Sequence, residues 1–279
     1  MDQPTVGILH PGSMGAAVAA CAAANAAAVL WSTAGRSQAS RARAERFGLE
    51  PVPRLHELLV RCDVVLSLCP PAAAEDLARE VAEHSYAGLY VEANAINAER
   101  AGRIARLLGP RATVVDGGVV GSPPVKGKTP TLYLSGPAAA TARIEALFAG
   151  TAVHTKALGT DIGQASALKL AYASFQKTSR VLVALSVGLA REHGVDQELI
   201  NIASLRTDSY LSETEYIAKT AARAWRWGPE LEEAADMLAA AGLPPEMLRA
   251  AASTLARWHD AKDDGELTLT DALDRLAHP

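Results

Sequence analysis

Cysteine is scarce in this chain. Only Cys21, Cys62 and Cys69 occur in 279 residues, an odd number without the close pairing that a disulfide scaffold or a zinc ribbon needs. A reducing, cytoplasmic setting is therefore expected. The seven histidines are scattered, and none stands four residues from another, so no helical metal pair forms and no metal is expected. Charge of one sign is lacking too. Lys and Arg number 27 against 31 Asp and Glu, for a net charge of −4 and a pI near 6.0. That balance provides no basic field for a nucleic acid or a membrane surface, and neither partner is expected. No apolar run is long enough to span a bilayer. Ala16 to Leu30 is Ala-rich and charge-free, but it is short, no basic segment precedes it, and it reads as a helix buried against a sheet. Internal repeats and low-complexity tails are absent. What remains is ordinary globular composition, 49% hydrophobic and 21% charged, at a length that favours two domains.

The first half alternates apolar runs with helical patterns. Strands are predicted at Val6–His10, Val29–Ser32, Asp63–Leu68, Leu89–Glu92, Ala112–Asp116 and Thr131–Ser135. Helices are predicted between them at Ser13–Ala26, Ser37–Phe47, Ala72–His84 and Ala98–Leu108. Such alternation implies an α/β domain with a parallel sheet covered on both faces. From Gly159 onward no strand signal remains. A long helix is predicted over Gly163–His193, then helices at Gln197–Ser204, Ser209–Trp225, Glu230–Ala241, Pro245–His259 and Thr268–Ala277, broken at glycines and prolines such as Gly228-Pro229. The fold class expected is an N-terminal Rossmann domain, residues 1–157, followed by an all-helical domain, residues 158–279.

The turn after the first strand carries the first chemical signal. It reads His10-Pro11-Gly12-Ser13-Met14-Gly15. A dinucleotide fingerprint places glycines to turn tightly, to let the pyrophosphate approach and to let helix meet strand. Gly12 and Gly15 fill the second and third places, and His10 occupies the first. The helix behind Gly12 would present free N–H groups and a positive dipole end to a diphosphate. NAD-specific folds place an acid at the end of the second strand; here the segment is Trp31-Ser-Thr-Ala-Gly-Arg36-Ser37. Arg36 offers a planar cationic fork suited to a 2′-phosphate, Ser37 adds a hydroxyl or caps the next helix, and Arg41 is either a further cation or a solvated surface group. NADP(H) is the expected cofactor. Cys69-Pro70-Pro71 ends the third strand, placing Cys69 and Pro70 beside the cofactor.

Several segments resemble the 6-phosphogluconate dehydrogenase and 3-hydroxyacid dehydrogenase superfamily: Gly7-Ile-Leu-His-Pro-Gly12-Ser-Met-Gly15 with Gly35-Arg36-Ser37, Glu92-Ala-Asn94-Ala-Ile-Asn97, Asp116-Gly-Gly-Val-Val-Gly121-Ser122 and Gly163-Gln-Ala-Ser-Ala-Leu-Lys169. The resemblance implies that Asn94 touches nicotinamide or substrate. It also implies that Val120, Gly121 and Ser122 form a substrate loop, with Val120 and Ser122 departing from the family pattern. Lys169 would be the catalytic lysine, with Ala165 standing for the second glycine of its motif. Tyr172, Ala173 and Gln176 follow along the helix as candidate substrate contacts; Ala173 replaces the family's asparagine. Ala224-Trp-Arg-Trp-Gly-Pro-Glu-Leu-Glu-Glu233 and Ala241-Gly-Leu-Pro244 are similar to a branch with a C-terminal domain known as DUF1932. Acidic residues stand there where better-known relatives carry a second lysine.

A lysine in an apolar helix start either snorkels to solvent or faces a cleft. The resemblance favours the cleft, where an amine can move the proton that accompanies hydride transfer at a carbonyl. The expected activity is an NADPH-dependent oxidoreductase acting on a small carbonyl or hydroxy compound. Two other readings stand beside it: an imine reductase acting on a cyclic or cationic imine, for which the acidic Glu230–Glu233 segment speaks, and an NADPH-binding sensor without catalysis. A homodimer is implied by the resemblance. Lys177 is read as helix surface or dimer contact, and Trp225, Trp227 and Trp258 as core or subunit anchors.

Overall fold

A computed structural model of the chain describes residues 3–192, 194–205, 213–240 and 242–278. It divides into two compact units, Met1–Lys169 and Leu170–Pro279.

The first unit is built on one sheet of eight strands. These are β1 (Thr5–Ile8), β2 (Ala28–Ser32), β3 (Glu50–Val52), β4 (Val64–Ser67), β5 (Leu89–Glu92), β6 (Thr113–Val120), β7 (Thr131–Ser135) and β8 (His154–Gly159), in spatial order β3-β2-β1-β4-β5-β6-β7-β8. Six helices connect them: α1 (Ser13–Ala22), α2 (Gln38–Arg46), α3 (Leu55–Arg61), α4 (Ala74–Glu83), α5 (Ala98–Leu108) and α6 (Ala138–Phe148). Strands β1 to β6 run parallel in the doubly wound order, so the chain reverses its winding between β1 and β4.

Both sheet faces are covered because the strand residues are apolar on both sides. Val6, Ile8, Val29, Trp31, Val64, Leu66 and Val91 pack with Ala16, Ala19, Ile144, Leu147 and Phe148 on one face. Leu30, Val65, Tyr90 and Val114 pack with Leu58, Ala78, Val81, Ile104 and Leu108 on the other. Each large buried side chain in these layers stabilises by about 1.5–3 kcal/mol. The short side chains of α1 let it lie close to β1: a Cβ on Gly15 would meet the His10 carbonyl oxygen at 2.5 Å.

The parallel sheet expected from the sequence is corrected at one side. β7 runs antiparallel to β6, and β8 runs parallel to β7. The segment between β6 and β7 is too short for a crossover and turns the chain straight back. β6 also continues past Asp116 through Val120, so the Gly117-Gly118 pair that looked like a loop lies inside a strand. The sequence pattern misses β3, β8, α3 and α6. β3 carries Pro51 and β8 is mostly exposed, so neither has the apolar run that marks a buried strand.

The second unit is helical: the remainder of α7 (Gln164–Glu192), then α8 (Asp196–Ser204), α9 (Tyr216–Ala240), α10 (Glu246–Leu255) and α11 (Leu269–Ala277) among the described residues. Helices expected at Ser209–Trp225 and Glu230–Ala241 are one helix, α9, which runs through Pro229. An interior proline costs about 3 kcal/mol. Ala221, Ala224, Trp227, Leu231, Ala234 and Ala235 form one buried stripe across it, and that burial outweighs the lost hydrogen bond. Residues 209–212 of the first expected helix lie outside the described residues. Trp258 is fully buried, and its Nε1 donates to the Ala272 carbonyl at 2.7 Å, fastening α11. Trp227 is buried, whereas Trp225 is partly exposed and donates to Asp263 Oδ1 at 3.1 Å.

Candidate functional site

The C-terminal edge of the sheet collects the sequence-predicted cofactor residues. Ile8, Ser67, Glu92 and Asp116 end or level the parallel strands in register, and the loops beyond them form the site. α1 begins at Ser13 with no side-chain cap and no acidic residue in its first turn. Its opening N–H groups and dipole end therefore face an anion without competition from the chain.

Arg36 reaches back from the end of β2 onto this turn. Its Nη2 donates to the Leu9 carbonyl at 2.7 Å, and its Nη1 lies 3.0 Å from His10 Nδ1. Its Nε is buried without a partner. The His10 pKa is lowered by burial first, then by the charges of Arg36 and Arg43, so the imidazole is held neutral and its Nδ1 can accept from Arg36. Arg43 donates to the Pro11 carbonyl at 3.0 Å. Arg41 braces the β2 loop, donating to the Thr33 carbonyl at 2.7 Å. Ser37 caps α2 by accepting the Ser40 N–H at 3.2 Å.

A cavity of about 370 Å³ opens at this edge, lined by His10, Arg36, Cys69, Pro70, Ala73 and Leu77, with the acidic Asp76 and Glu80 of α4 on the same side. It lies where the loops after β1, β2 and β4 meet, beside the winding reversal at which doubly wound sheets bind ligands. A nicotinamide dinucleotide fits these residues. The glycine turn and uncapped helix suit a diphosphate, the orphaned Arg36 Nε suits an anion, and the apolar wall of Pro70, Ala73 and Leu77 suits a flat ring. Burial pushes the Cys69 thiol up to about 12, with the Glu92 charge adding to the effect, so Cys69 is a wall residue and not a nucleophile.

Asn94 holds this wall together. It is buried, and both ends of its amide are engaged inside the protein. The Cys69 N–H donates to Asn94 Oδ1 at 2.5 Å, Asn94 Nδ2 donates to Ser67 Oγ at 2.8 Å, and the Asn94 N–H donates to Glu92 Oε1 at 3.0 Å. The residue expected to touch nicotinamide or substrate thus ties the end of β4 to the end of β5.

Lys169 sits half-buried in the second turn of α7. Two features fix its height. The Asp116 carboxylate accepts the N–H groups of Gly163 and Ser166 at 2.9 and 3.0 Å and the hydroxyls of Ser135 and Ser166 at 3.0 and 2.6 Å. It therefore caps α7, where a negative charge also complements the helix dipole. One turn on, α7 rests on β6: a Cβ on Gly118 would meet the Ala165 carbonyl oxygen at 2.7 Å and Lys169 Cβ at 2.9 Å. Burial raises the Asp116 pKa, while these four donors pull it back down. Sequence reasoning missed Glu92 and Asp116 as organisers. The available signal was an acid in an otherwise apolar strand, which requires partners when buried.

The substrate residues expected from the resemblance are placed unevenly. Val120 is the last residue of β6, and Gly121 and Ser122 follow it exposed. Tyr172, Ala173 and Gln176 belong to the second unit; Tyr172 is exposed, Gln176 half-buried and Ala173 buried. Lys177 departs from the surface role expected. It is buried, ion-paired with Glu230, and lies 5.7 Å from the Trp227 ring centroid. Arg180 pairs with Glu213 at 2.6 Å and stacks on Tyr216. Among the described residues no group of three His, Cys, Asp or Glu is placed to hold a metal, and no helix is long and apolar enough to cross a membrane.

The fold is shared with known structures. Mycobacterium tuberculosis 3-hydroxyisobutyrate dehydrogenase superposes with a TM-score of 0.77 at 19% identity over 99% of each chain. The fold is that of the 3-hydroxyacid dehydrogenases. A Streptomyces aurantiacus imine reductase matches with a TM-score of 0.60 at 20% identity, covering 99% of this chain and 100% of its own. A reductive aminase from Aspergillus terreus, solved with NADPH and ethyl levulinate, matches with a TM-score of 0.61 at 18% identity, covering 98% and 99%. Residues 190–258 match the model of a domain of unknown function, DUF1932. No curated protein matches the sequence.

Proposed function

We propose that this protein is an NADPH-dependent oxidoreductase acting on a small carbonyl or hydroxy compound, with Lys169 as the general acid and base. The observation that carries the reading is the seating of Lys169: Asp116 and Gly118 hold the start of α7 at the same sheet edge as the glycine turn and the Arg36 cavity.

The turn from His10 to Gly15 and the opening of α1 bind the diphosphate, and Arg36 with Ser37 takes the 2′-phosphate. Cys69 and Pro70 line the remainder of the cofactor site, with Asn94 holding them in place. The bound cofactor supplies or accepts hydride. Lys169 delivers the proton that the substrate oxygen needs on reduction and removes it on oxidation. Val120, Gly121 and Ser122, with Tyr172 and Gln176 further along α7, are the proposed substrate contacts. Carbonyl chemistry is preferred to imine chemistry because Glu230, the acid that would attract a cationic imine, is paired with Lys177 of the same chain. The assembly proposed is a homodimer. Leu168, Tyr172, Phe175 and Leu182 leave an exposed apolar stripe along α7, and a second copy would cover it.

The test is NADPH oxidation across keto acids, aldehydes and cyclic imines, with wild type and Lys169→Ala. Lys169→Ala is expected to keep NADPH affinity and to lower kcat by roughly 10²–10⁴. Near-normal turnover in that variant would remove Lys169 from the mechanism. Tight NADPH binding with no turnover on any substrate would favour the sensor.

A further inference from the structure

A second cleft opens beside the glycine turn. It lies against α1 and α2, which pack on one face of the sheet through Ala16 and Ala44, whereas α4 packs on the other through Ala74 and Ala78. Its volume is about 340 Å³, and it shares no lining residue with the cavity walled by α4. That size falls within the range of roughly 300–1,000 Å³ of small-molecule sites. Three segments form it. On α2, Ala39, Ala42, Arg43, Arg46 and Phe47 recur at helical spacing and make one stripe. The loop between β6 and β7 brings Pro123 and Val125 against that stripe, and Ser13, the first residue of α1, closes one side.

The walls combine two cations with an apolar surface. Arg43 and Arg46 stand one helical turn apart, where like charges repel. Among the described residues neither is ion-paired, and no acid lines the cleft. Arg43 gives one hydrogen bond, to the Pro11 carbonyl at 3.0 Å. Arg46 is exposed, and its guanidinium carbon lies 5.0 Å from the Phe47 ring centroid. The uncapped first turn of α1, without an acidic residue, adds its positive dipole end to the same side. The α4 cavity differs, since Asp76 and Glu80 face Arg36 there.

We propose that this cleft is a second ligand site, one that takes a carboxylate carried on a flat apolar body, such as an aromatic acid. The carboxylate accepts from the guanidinium groups of Arg43 and Arg46, whose planar forks suit it and whose mutual repulsion it relieves. The ring lies against Phe47, Pro123 and Val125. From Ala39 to Phe47 the stripe runs about 12 Å along the helix axis, long enough for two fused rings and their acid group. A bare phosphate would satisfy the arginines and leave the apolar walls wet, so it fits the cleft less well. The inference stands apart from the oxidoreductase reading, because it needs neither a bound dinucleotide nor turnover.

The experiment is an amide-shift NMR titration of the full chain with 2-naphthoate, and with 2-naphthalenemethanol as its uncharged counterpart. The acid is expected to bind once per chain with a Kd on the order of 0.1–1 mM. Its shifts should centre on Ser13, the α2 stripe and Val125. The alcohol should bind at least about fivefold more weakly. Arg43→Gln and Arg46→Gln should each raise the Kd by roughly tenfold. Ala42→Glu places a carboxylate at an exposed point of the stripe and should abolish binding. If Arg43→Gln disturbs the turn through Pro11, the other two variants decide alone. No shift with acid up to about 10 mM overturns the inference. So do shifts centred on His10, Cys69 and Ala73, an alcohol that binds as tightly as the acid, or an unchanged Kd in Arg46→Gln and Ala42→Glu.

Discussion

Gly118 offers the most direct test of how Lys169, the proposed general acid and base, is held. Replacing it with alanine adds one methyl group inside β6, on the side that meets α7. That methyl would stand 2.7 Å from the Ala165 carbonyl oxygen and 2.9 Å from Lys169 Cβ. Both neighbours are stiff: one is helix backbone, the other the root of a side chain. Relief requires a carbon–oxygen separation above 3 Å, so the first two turns of α7 must rise by a few tenths of an ångström or more. Asp116 opposes that motion through the N–H groups of Gly163 and Ser166. Overpacking of this kind costs about 1–3 kcal/mol, a fall in Tm of roughly 2–12 °C for a domain of this size. A misplacement of up to about 1 Å at the amine lowers turnover by as much as ~10²-fold. The cavity proposed to take the cofactor is not lined by Gly118, so NADPH affinity is expected to hold. The assay is kcat, NADPH Kd and Tm on the same preparation. Gly102→Ala is the control, because its added methyl meets nothing closer than a flexible arginine tip at 3.5 Å within α5. It should stabilise by about 0.5–1 kcal/mol. A Gly118→Ala protein with unchanged Tm and full turnover would refute the seating of α7 described above.

Other outcomes are expected from the same geometry. Arg36→Ala should weaken NADPH binding by roughly 10- to 100-fold, the worth of a charged phosphate contact, and leave NADH binding nearly unchanged; comparable losses for both cofactors in titrations would remove the 2′-phosphate role. Trp258→Phe deletes the Nε1 donor to Ala272 and should cost about 1–3 kcal/mol by leaving a buried carbonyl unpaired, measured by urea unfolding. Thermal stability should carry the mark of Glu92. Its pKa rises from 4.5 in the open chain to about 8 when folded, so the native state binds the extra proton between those values. The stability this provides is complete below about pH 4.5 and lost as pH rises through about 8. Tm should therefore decline across that window in wild type and decline less in Glu92→Gln, and identical slopes by scanning calorimetry would contradict the burial of a protonated acid there.

The division of labour between chain and fold follows physical range. Apolar runs such as Val64–Ser67 and glycine breaks are local patterns, so the Rossmann half, the turn at Gly12 and Gly15, and the absence of an acid beside Arg36 were legible without coordinates. Lys169 was singled out through a resemblance in one helix start, and the fold places it half-buried in the second turn of α7. β8, exposed and polar, and β3, short and carrying a proline, left no periodic mark, and only pairing with β7 and β2 makes them strands. The antiparallel turn of β7 and the unbroken course of α9 through Pro229 also lay beyond local reading, because burial of Trp227 and Leu231 overrides the proline. Asn94, Glu92 and Asp116 show the limit most clearly. Residue type marks each as chemically capable, but for Asn94 and Asp116 partners 19 to 50 residues away in the chain decide what each one does. A buried polar atom must find its hydrogen bonds wherever the fold brings them, and no spacing in the chain records that distance.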